Sequence, residues 1–353
     1  MYKINDKVEL INGVTSRNRV VLPPMDTLMA DDGFVSDFHI QHYGARAYGG
    51  VGTIIIESTA VSSEGRIRPR DLGLWKDEHI EGFKKIAKLS HDAGAVVGVQ
   101  LNHAGAKAEL EEPTFGATNF YTYLAKENYS LLDEENLKRI EDCFVKAAQR
   151  AKIAGLDFVE IHAAHGFLIS ELIHPQLNDL IKSEDIFERS KMLITVLERI
   201  NSEVKIPVGI RFSISDDMKD SKFDISEFKP LVEKIENLVT YFHLSSGETI
   251  GRRDIVSNPS KPETKMFRIP YAETVLSWTK KNIIVVGEFQ TREEIEFALN
   301  KDIPFVAVGR AQIYNPSLVM TDLLTVEEMD KELYKWAVNP WFHPVDYKST
   351  FKK

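Results

Sequence analysis

The chain is poor in the residues and patterns that mark several large protein classes. Its 353 residues include a single cysteine, Cys143, which excludes an internal disulfide and a cysteine-based metal site. No apolar stretch approaches the length of a membrane span, and the charged N-terminus, with Lys3 and Asp6, does not read as a signal peptide. We therefore expect a soluble, cytoplasmic protein.

Basic runs and basic stripes are also missing. The chain carries 44 Lys and Arg residues against 53 Asp and Glu residues, which gives a formal net charge of −9. Because nucleic acids and anionic membranes attract positively charged surfaces, this balance argues against both as partners. We expect a small-molecule partner instead, and the sequence leaves open whether the chain forms a homo-oligomer.

What the chain has in abundance is an alternation of short apolar strands with longer amphipathic segments. Hydrophobic residues make up 43% of the sequence, enough for a large core. The alternation repeats eight times, and several strands are apolar almost throughout, as parallel strands buried on both faces are. Eight such units predict a single-domain α/β protein, a (β/α)₈ TIM barrel. A doubly wound sheet is disfavoured because no G-x-G-x-x-G pattern links a strand to a helix.

The apolar periodicity also gives approximate positions for these elements. We predict strands at residues 19–23, 51–57, 95–101, 155–161, 207–212, 239–244, 283–286 and 305–308. We predict helices at residues 37–48, 78–93, 134–154, 188–202, 224–236, 271–280 and 291–300, and a last helix that begins near Pro316. The barrel should span residues 1–328, and the aromatic tail at 329–353 should pack on it or on a neighbouring subunit.

The fourth predicted strand ends in two histidines, His162 and His165, which are followed by Gly166 and Phe167. In a barrel enzyme, the carboxyl ends of the strands carry the chemistry. Histidine titrates nearer neutrality than other side chains, so this pair suggests a polar site at the barrel mouth. By spacing alone, one core histidine and one helix-start histidine would be the better interpretation, and the rest of the chain reverses that judgement. A zinc site that adds Glu160 is disfavoured, because strand alternation leaves His165 in the turn.

Glycines and an arginine follow the last two predicted strands. Gly287 comes after strand seven, and Gly309 with Arg310 comes after strand eight. Glycine lets backbone N–H groups approach an anion, and arginine offers a planar fork of donors. The three together predict the phosphate site that many barrels build at this place. Taken singly, either glycine is equally consistent with a residue that only shapes a turn.

Several segments of the chain, in order, resemble the old yellow enzyme family of FMN-dependent NAD(P)H oxidoreductases. The likeness is greatest to its bacterial branch of NADPH dehydrogenases, or thermophilic-like ene-reductases, and it covers most of residues 1–320. The segments that carry it are Asn18-Arg19 with Pro23-Pro24-Met25, Asp71 to Trp75 with Asp77-Glu78-His79, Gln100 to Gly105 with Lys107 to Leu110, Glu160 to Gly166, and Gly309-Arg310.

The resemblance implies an FMN site at the mouth of the barrel. The residues that would hold FMN are Pro23, Pro24, Met25 and Asp26 along the ring system, Ala60 near O4, Gln100 at the pyrimidine edge, Arg211 at N1 and O2, and Gly287, Gly309 and Arg310 at the phosphate. His162 and His165 would bind the oxygen of an acceptor above the flavin. Hydride would pass from NADPH or NADH through flavin N5 to an activated alkene, a quinone or a nitro compound, by a ping-pong mechanism.

The chain departs from the pattern of this family at positions that bear on catalysis. Phe167 stands where the family usually has a tyrosine that donates a proton. Asp26 and Leu28 stand where close relatives often have cysteine and tyrosine. An ionised Asp26 would lower the flavin potential, and a protonated one would raise it. Two alternatives therefore stay open: a flavin-binding barrel with oxidase activity or little ene-reductase turnover, and a metal-dependent barrel lyase.

Overall fold

Eight parallel strands form a closed barrel in the computed structural model, which describes residues 2–11, 13–120, 128–218, 221, 223–250, 265–325 and 327–329. The strands are β1 (Val20–Leu22), β2 (Thr53–Ala60), β3 (Val96–Asn102), β4 (Phe158–Ala163), β5 (Val208–Ser213), β6 (Tyr241–Ser245), β7 (Asn282–Val286) and β8 (Phe305–Ala307). Each strand pairs with its neighbours in sequence, and β8 pairs with β1. The predicted (β/α)₈ barrel is confirmed.

Helices cover the outside of this barrel and form parts of its mouth. They are α1 (Asp37–Tyr48), α2 (Ile80–Asp92), α3 (Glu134–Ile153), α4 (Leu168–Ile173), α5 (Ile186–Arg189), α6 (Lys191–Arg199), α7 (Phe228–Ile235), α8 (Ile269–Leu276), α9 (Arg292–Leu299) and α10 (Arg310–Tyr314). The start of α9 is a capping box, in which the side chain of Thr291 accepts from the Glu294 N–H and the Glu294 side chain accepts from the Thr291 N–H.

The last helix begins close to its predicted start. A π-helical segment, Val319–Leu323, follows shortly after Pro316, whereas α10 at residues 310–314 precedes it and was not predicted. Proline disfavours the helical conformation in the residue before it, and Asn315 is accordingly extended, with φ −128° and ψ 94°. Pro316 therefore separates α10 from the π-helical segment.

Several short strands were not predicted. An antiparallel hairpin pairs Val8–Ile11 with Val14–Ser16, Leu72–Gly73 adds to the edge of β2, and Thr114–Gly116 pairs with Tyr129–Leu131 in the long connection after β3. Leu10 and Ile11 of the hairpin are buried against side chains from inside the barrel. The hairpin thus closes the barrel at the end opposite the strand carboxyl ends.

Two glycines make room for aromatic rings in the lower barrel interior. A Cβ atom added at Gly98 would lie 2.4 Å from the ring of Phe158, and one at Gly209 would lie 2.1 Å from the ring of Tyr241. The two rings pack perpendicular to each other, with centroids 5.7 Å apart. This tightly filled floor leaves the upper part of the barrel for polar side chains.

Two further expectations from the sequence concern the aromatic tail and membrane spans. Apart from residue 329, the aromatic tail at 329–353 lies outside the described residues. Among the residues that are described, no helix is both long enough and apolar enough to cross a membrane.

Candidate active site

A buried carboxylate, Glu160, organises the polar layer above the barrel floor. It accepts hydrogen bonds from Gln100 Nε2 at 2.7 Å, from the Tyr241 hydroxyl at 3.0 Å and from His243 Nδ1 at 2.9 Å. Gln100 lies directly opposite Glu160 on the neighbouring strand. Side chains alternate along a strand, so His162, two residues on, faces the same interior one layer higher. Sequence alone suggested Glu160 only as a metal ligand, and its role as a hub was missed.

The charge of Glu160 is compensated within this layer. Burial by itself would raise the pKa of the carboxyl, but His243, Arg211 and Gln100 outweigh it, and the pKa falls below its ordinary value. Glu160 is therefore ionised. Burial lowers the pKa of the Arg211 guanidinium while the Glu160 carboxylate opposes that shift, and an arginine stays charged in either case.

Arg211 lies in the wall of a cavity at the barrel mouth, which has a volume of about 290 Å³. The Nε atom of Arg211 is buried and has no hydrogen-bond partner among the described residues. A buried donor without a partner costs free energy, so the site suits a ligand with an electron-rich or anionic edge.

The cavity brings together most of the residues that were predicted to bind a cofactor. Those in its wall are Pro23, Pro24, Met25, Arg211, Gly309 and Arg310, with His165 beside them. They come from the ends of four strands that are far apart in sequence. The closed barrel is what collects them on one face.

The other four predicted residues take different positions. Asp26 lines an adjoining cavity that shares Met25 with the first. Ala60 is buried, and its carbonyl accepts the N–H of Leu74 at 2.9 Å. Gln100 is buried in its bond to Glu160.

Gly287 lies in sequence between Val286 and Glu288, which both line the first cavity. Its carbonyl accepts the N–H of Met266 at 3.0 Å, so the turn after β7 is anchored to the segment that precedes α8.

The two histidines form a connected pair. His162 Nε2 and His165 Nδ1 lie 3.4 Å apart, and His165 Nε2 lies 2.8 Å from the Ser245 hydroxyl. The His165 N–H donates to Ser213 Oγ at 2.9 Å, so a serine at the end of β5 and one at the end of β6 both hold this residue. Both serines are polar residues at the ends of strands, and this sequence pattern identifies them as residues of the site.

The hydrogen bonds also assign the protons of the pair. The N–H of Ala164 donates to His162 Nδ1 at 3.2 Å, so this nitrogen is an acceptor and the proton is on Nε2. Burial, followed by the charge of Arg211, lowers the pKa of both histidines well below the ordinary value. Both rings are therefore neutral at physiological pH. The Nε2–H of His162 faces His165 over a long distance, so it is a weakly engaged donor.

Phe167 and Lys107 flank the pair from two sides. The Phe167 ring stands perpendicular to His162, and it packs against a small apolar cluster that includes Ala104 and Leu110. Lys107 Nζ donates to the His165 carbonyl at 2.8 Å, and burial lowers the pKa of this lysine to about 8. Because His165 has a left-handed φ of 60°, the lysine holds a residue with a strained backbone. No sequence pattern singled out Lys107 for this role.

Asp26 lies within electrostatic reach of two further carboxyl groups. Loss of hydration around its carboxyl, followed by repulsion from Asp71 and Glu57, raises the pKa of Asp26 to about 8. The residue as a whole is exposed at the mouth, so the two carboxylate neighbours are the firmer cause. Burial likewise raises the pKa of Asp71 to about 6. Asp26 is thus largely protonated at neutral pH and can donate a hydrogen bond.

The turns after β7 and β8 form one corner of the cavity, and this corner already contains an ion pair. A Cβ atom added at Gly309 would lie 3.0 Å from Met25 Sδ, so a larger residue here would require the Met25 side chain to shift. Arg310 is paired with the carboxylate of Glu288, and both side chains line the cavity. The sequence predicted Arg310 here but not its partner.

Metal ligation finds no support in the described part of the chain. Among those residues, no group of three or more His, Cys, Asp or Glu side chains is arranged to hold a metal ion.

Comparisons with known proteins bear on this site. Residues 9–323 match the NADH:flavin oxidoreductase / NADH oxidase family. An NADPH dehydrogenase from Halalkalibacterium halodurans is 33% identical over 316 residues, which cover 87% of this chain and 90% of the relative. An NADPH dehydrogenase from a Geobacillus species is 33% identical over 274 residues, 75% of this chain and 77% of the relative.

A solved structure gives the same result for the fold. The old yellow enzyme homologue from Zymomonas mobilis superposes with a TM-score of 0.74 over 94% of this chain and 98% of that one, at 24% identity. At this identity the likeness establishes the barrel architecture alone.

Proposed function

We propose, on the premise that the chain belongs to the NADH:flavin oxidoreductase / NADH oxidase family, that it passes hydride from NADPH or NADH to an activated alkene, a quinone or a nitro compound. As a member of this family it is an FMN-dependent NAD(P)H oxidoreductase of the old yellow enzyme type. The observation that carries the proposal is a cavity lined by Arg211, whose buried Nε has no hydrogen-bond partner among the described residues, and by His165, which belongs to a neutral histidine pair.

The walls of this cavity fit a flavin. FMN, when bound, supplies the hydride chemistry. Arg211, with its buried positive charge and free donor, would hold the N1 and O2 edge, and Gln100 would hold the pyrimidine edge. The remaining residues that would hold FMN are Pro23, Pro24, Met25, Asp26 and Ala60 along the ring system, and Gly287, Gly309 and Arg310 at the phosphate.

His162 and His165 would bind the oxygen of the acceptor. Both are neutral, so each carries one N–H that can be donated without the cost of burying a further charge. The His162 proton faces a nitrogen 3.4 Å away and is easily redirected, whereas His165 would exchange its Ser245 partner for the acceptor oxygen. Donors fixed in this way stabilise the negative charge that develops on the oxygen during reduction.

The source of the second proton separates the classes of acceptor. A phenyl ring cannot donate a proton, so Phe167 cannot protonate a carbon atom of the acceptor. Water would then protonate an alkene, whereas quinones and nitro groups are protonated on oxygen and need no acid at this position. Phe167 therefore favours quinones and nitro compounds over alkenes as acceptors.

The sequence has no separate dinucleotide-binding fingerprint. Reductant and acceptor would accordingly use the same cavity in turn, which is a ping-pong mechanism.

Anaerobic stopped-flow spectroscopy tests the proposal directly. The purified protein should contain FMN, which NADPH or NADH should bleach and which a quinone, a nitro compound or cyclohexenone should reoxidise. A protein that stays colourless when mixed with FMN would refute the proposal. Bleaching that only oxygen reverses would instead favour the oxidase alternative.

A further inference from the structure

A carboxylate occupies the corner in which the flavin phosphate is proposed to bind. Glu288 lines the cavity together with Gly309 and Arg310, and it makes an ion pair with the Arg310 guanidinium. The two partners are unequally exposed: the side chain of Glu288 is 8% exposed and that of Arg310 is 63% exposed. The acid is thus the inner member of the pair.

The backbone fixes Glu288 in this place. Its φ of 64° is in the left-handed region, which non-glycine residues rarely adopt, and the preceding Gly287 is anchored through its carbonyl to Met266. The Glu288 side chain lines the cavity and is largely buried, so its carboxylate is part of this corner.

A phosphate and a carboxylate compete for the same donors. Arginine binds either anion through its planar fork, and an N–H group that donates to Glu288 is not available to a phosphate. The two anions also repel each other, and the repulsion is strong where water is scarce. Any phosphate that enters this corner must therefore displace Glu288 from Arg310 or share the guanidinium with it.

We propose that Glu288 is a specificity-determining residue that competes with the flavin phosphate for Arg310 and so lowers the preference of the site for FMN over riboflavin. This inference rests on the proposed function, which places the phosphate in this corner. In chemical terms, the chain discriminates weakly between the phosphorylated and the unphosphorylated flavin, because part of the charge that would recognise the phosphate is already neutralised.

The test compares the two flavins in the Glu288→Gln variant. Glutamine keeps the size of the side chain and removes its charge. The full-length protein is stripped of flavin, and the dissociation constants of FMN and riboflavin are measured by flavin fluorescence. We expect the variant to bind FMN about tenfold more tightly, as the loss of one close like charge allows, and to bind riboflavin as the wild type does.

A matched control is Glu296→Gln. Glu296 pairs with Arg292 on α9, outside the cavity wall, so this variant makes the same change in net charge. It should leave the ratio of the two dissociation constants unchanged. Removing the fork with Arg310→Ala should also shrink the effect of Glu288→Gln on FMN, and an undiminished effect would contradict competition for Arg310.

The possible outcomes distinguish a failure of this inference from a failure of the proposed function on which it rests. If neither flavin binds to the wild type, the proposed function fails. If both flavins bind and Glu288→Gln leaves their ratio at the wild-type value, the competition proposed here is wrong while the flavin site stands. Riboflavin binding serves as the check that each variant is folded.

Discussion

Phe167 stands perpendicular to His162, with their ring centroids 4.9 Å apart and an interplanar angle of 87°. The phenyl ring thus occupies space next to the donor that is proposed to hold the acceptor oxygen. It shields one side of the histidine from water and adds no proton of its own. The contact identifies the position in the site that lacks a proton-donating side chain. A substitution at this position can therefore test whether that lack limits catalysis.

Replacing Phe167 with tyrosine should restore an acid at that point. We expect the kcat/KM for cyclohexenone to rise about a hundredfold, the lower end of the range for a positioned general acid. Reduction of a quinone should not change, because its protons go to oxygen. Steady-state assays with both acceptors measure the difference, and an equal change for both would mean that carbon protonation is not limiting.

Replacing both His162 and His165 with alanine should abolish phenol binding. Phenols bound over a flavin give a long-wavelength absorbance band, which reports directly on this contact. Loss of two hydrogen bonds to a charged oxygen should weaken binding by at least about a hundredfold. Alanine at His91, an outlying histidine paired with Asp157, is the control and should leave the band intact. A band that survives the double replacement would contradict the proposed position of the pair.

Replacing Asp26 with asparagine should change how the flavin potential depends on pH. The Asp26 carboxyl has a pKa of about 8, so it is neutral below that pH and negative above it. A negative charge near the reduced flavin disfavours reduction, so the wild-type potential should lie below that of the variant at pH 9 and should match it at pH 6. Potentiometric titration at both pH values measures this. A constant offset would show that Asp26 does not titrate in this range.

Replacing Lys107 with methionine should weaken the acceptor site and leave the flavin site intact. The lysine holds the His165 carbonyl, and without it the left-handed backbone of His165 loses a charged hydrogen bond. We expect phenol binding to weaken about tenfold, as the loss of one such bond predicts. The control is Lys152→Met, which removes a lysine bonded to the remote Val204 carbonyl. A parallel loss of FMN affinity would indicate general damage to the barrel.

The barrel was predictable from the sequence because each of its strands is a short apolar run. In a closed parallel barrel the strand ends share one face, so the order of the strands alone was enough to bring Met25, His165 and Arg310 together. The short helix α10 was missed, because its five residues, Arg310–Tyr314, are too few to show a helical periodicity.

The polar network was less predictable, because it joins residues that are far apart in the chain. Glu160 binds the Tyr241 hydroxyl and His243 Nδ1, partners that are 81 and 83 positions away. No periodicity encodes such pairs, which depend on the layers inside the closed barrel. The ion pair between Glu288 and Arg310 was missed for a related reason: the left-handed conformation of Glu288 is a property of its turn and leaves no trace in composition.

The lower interior of the barrel constrains how this sequence can change over time. Gly98 packs against the Phe158 ring and Gly209 against the Tyr241 ring, and a methyl group at either glycine would overlap the facing ring. A larger residue can replace either glycine only after a smaller residue has replaced the facing aromatic residue. That first replacement alone would leave a cavity in the floor of the barrel. Tyr241 is constrained further by its bond to Glu160. In evolution or in a mutant library, the floor should therefore change by paired substitutions.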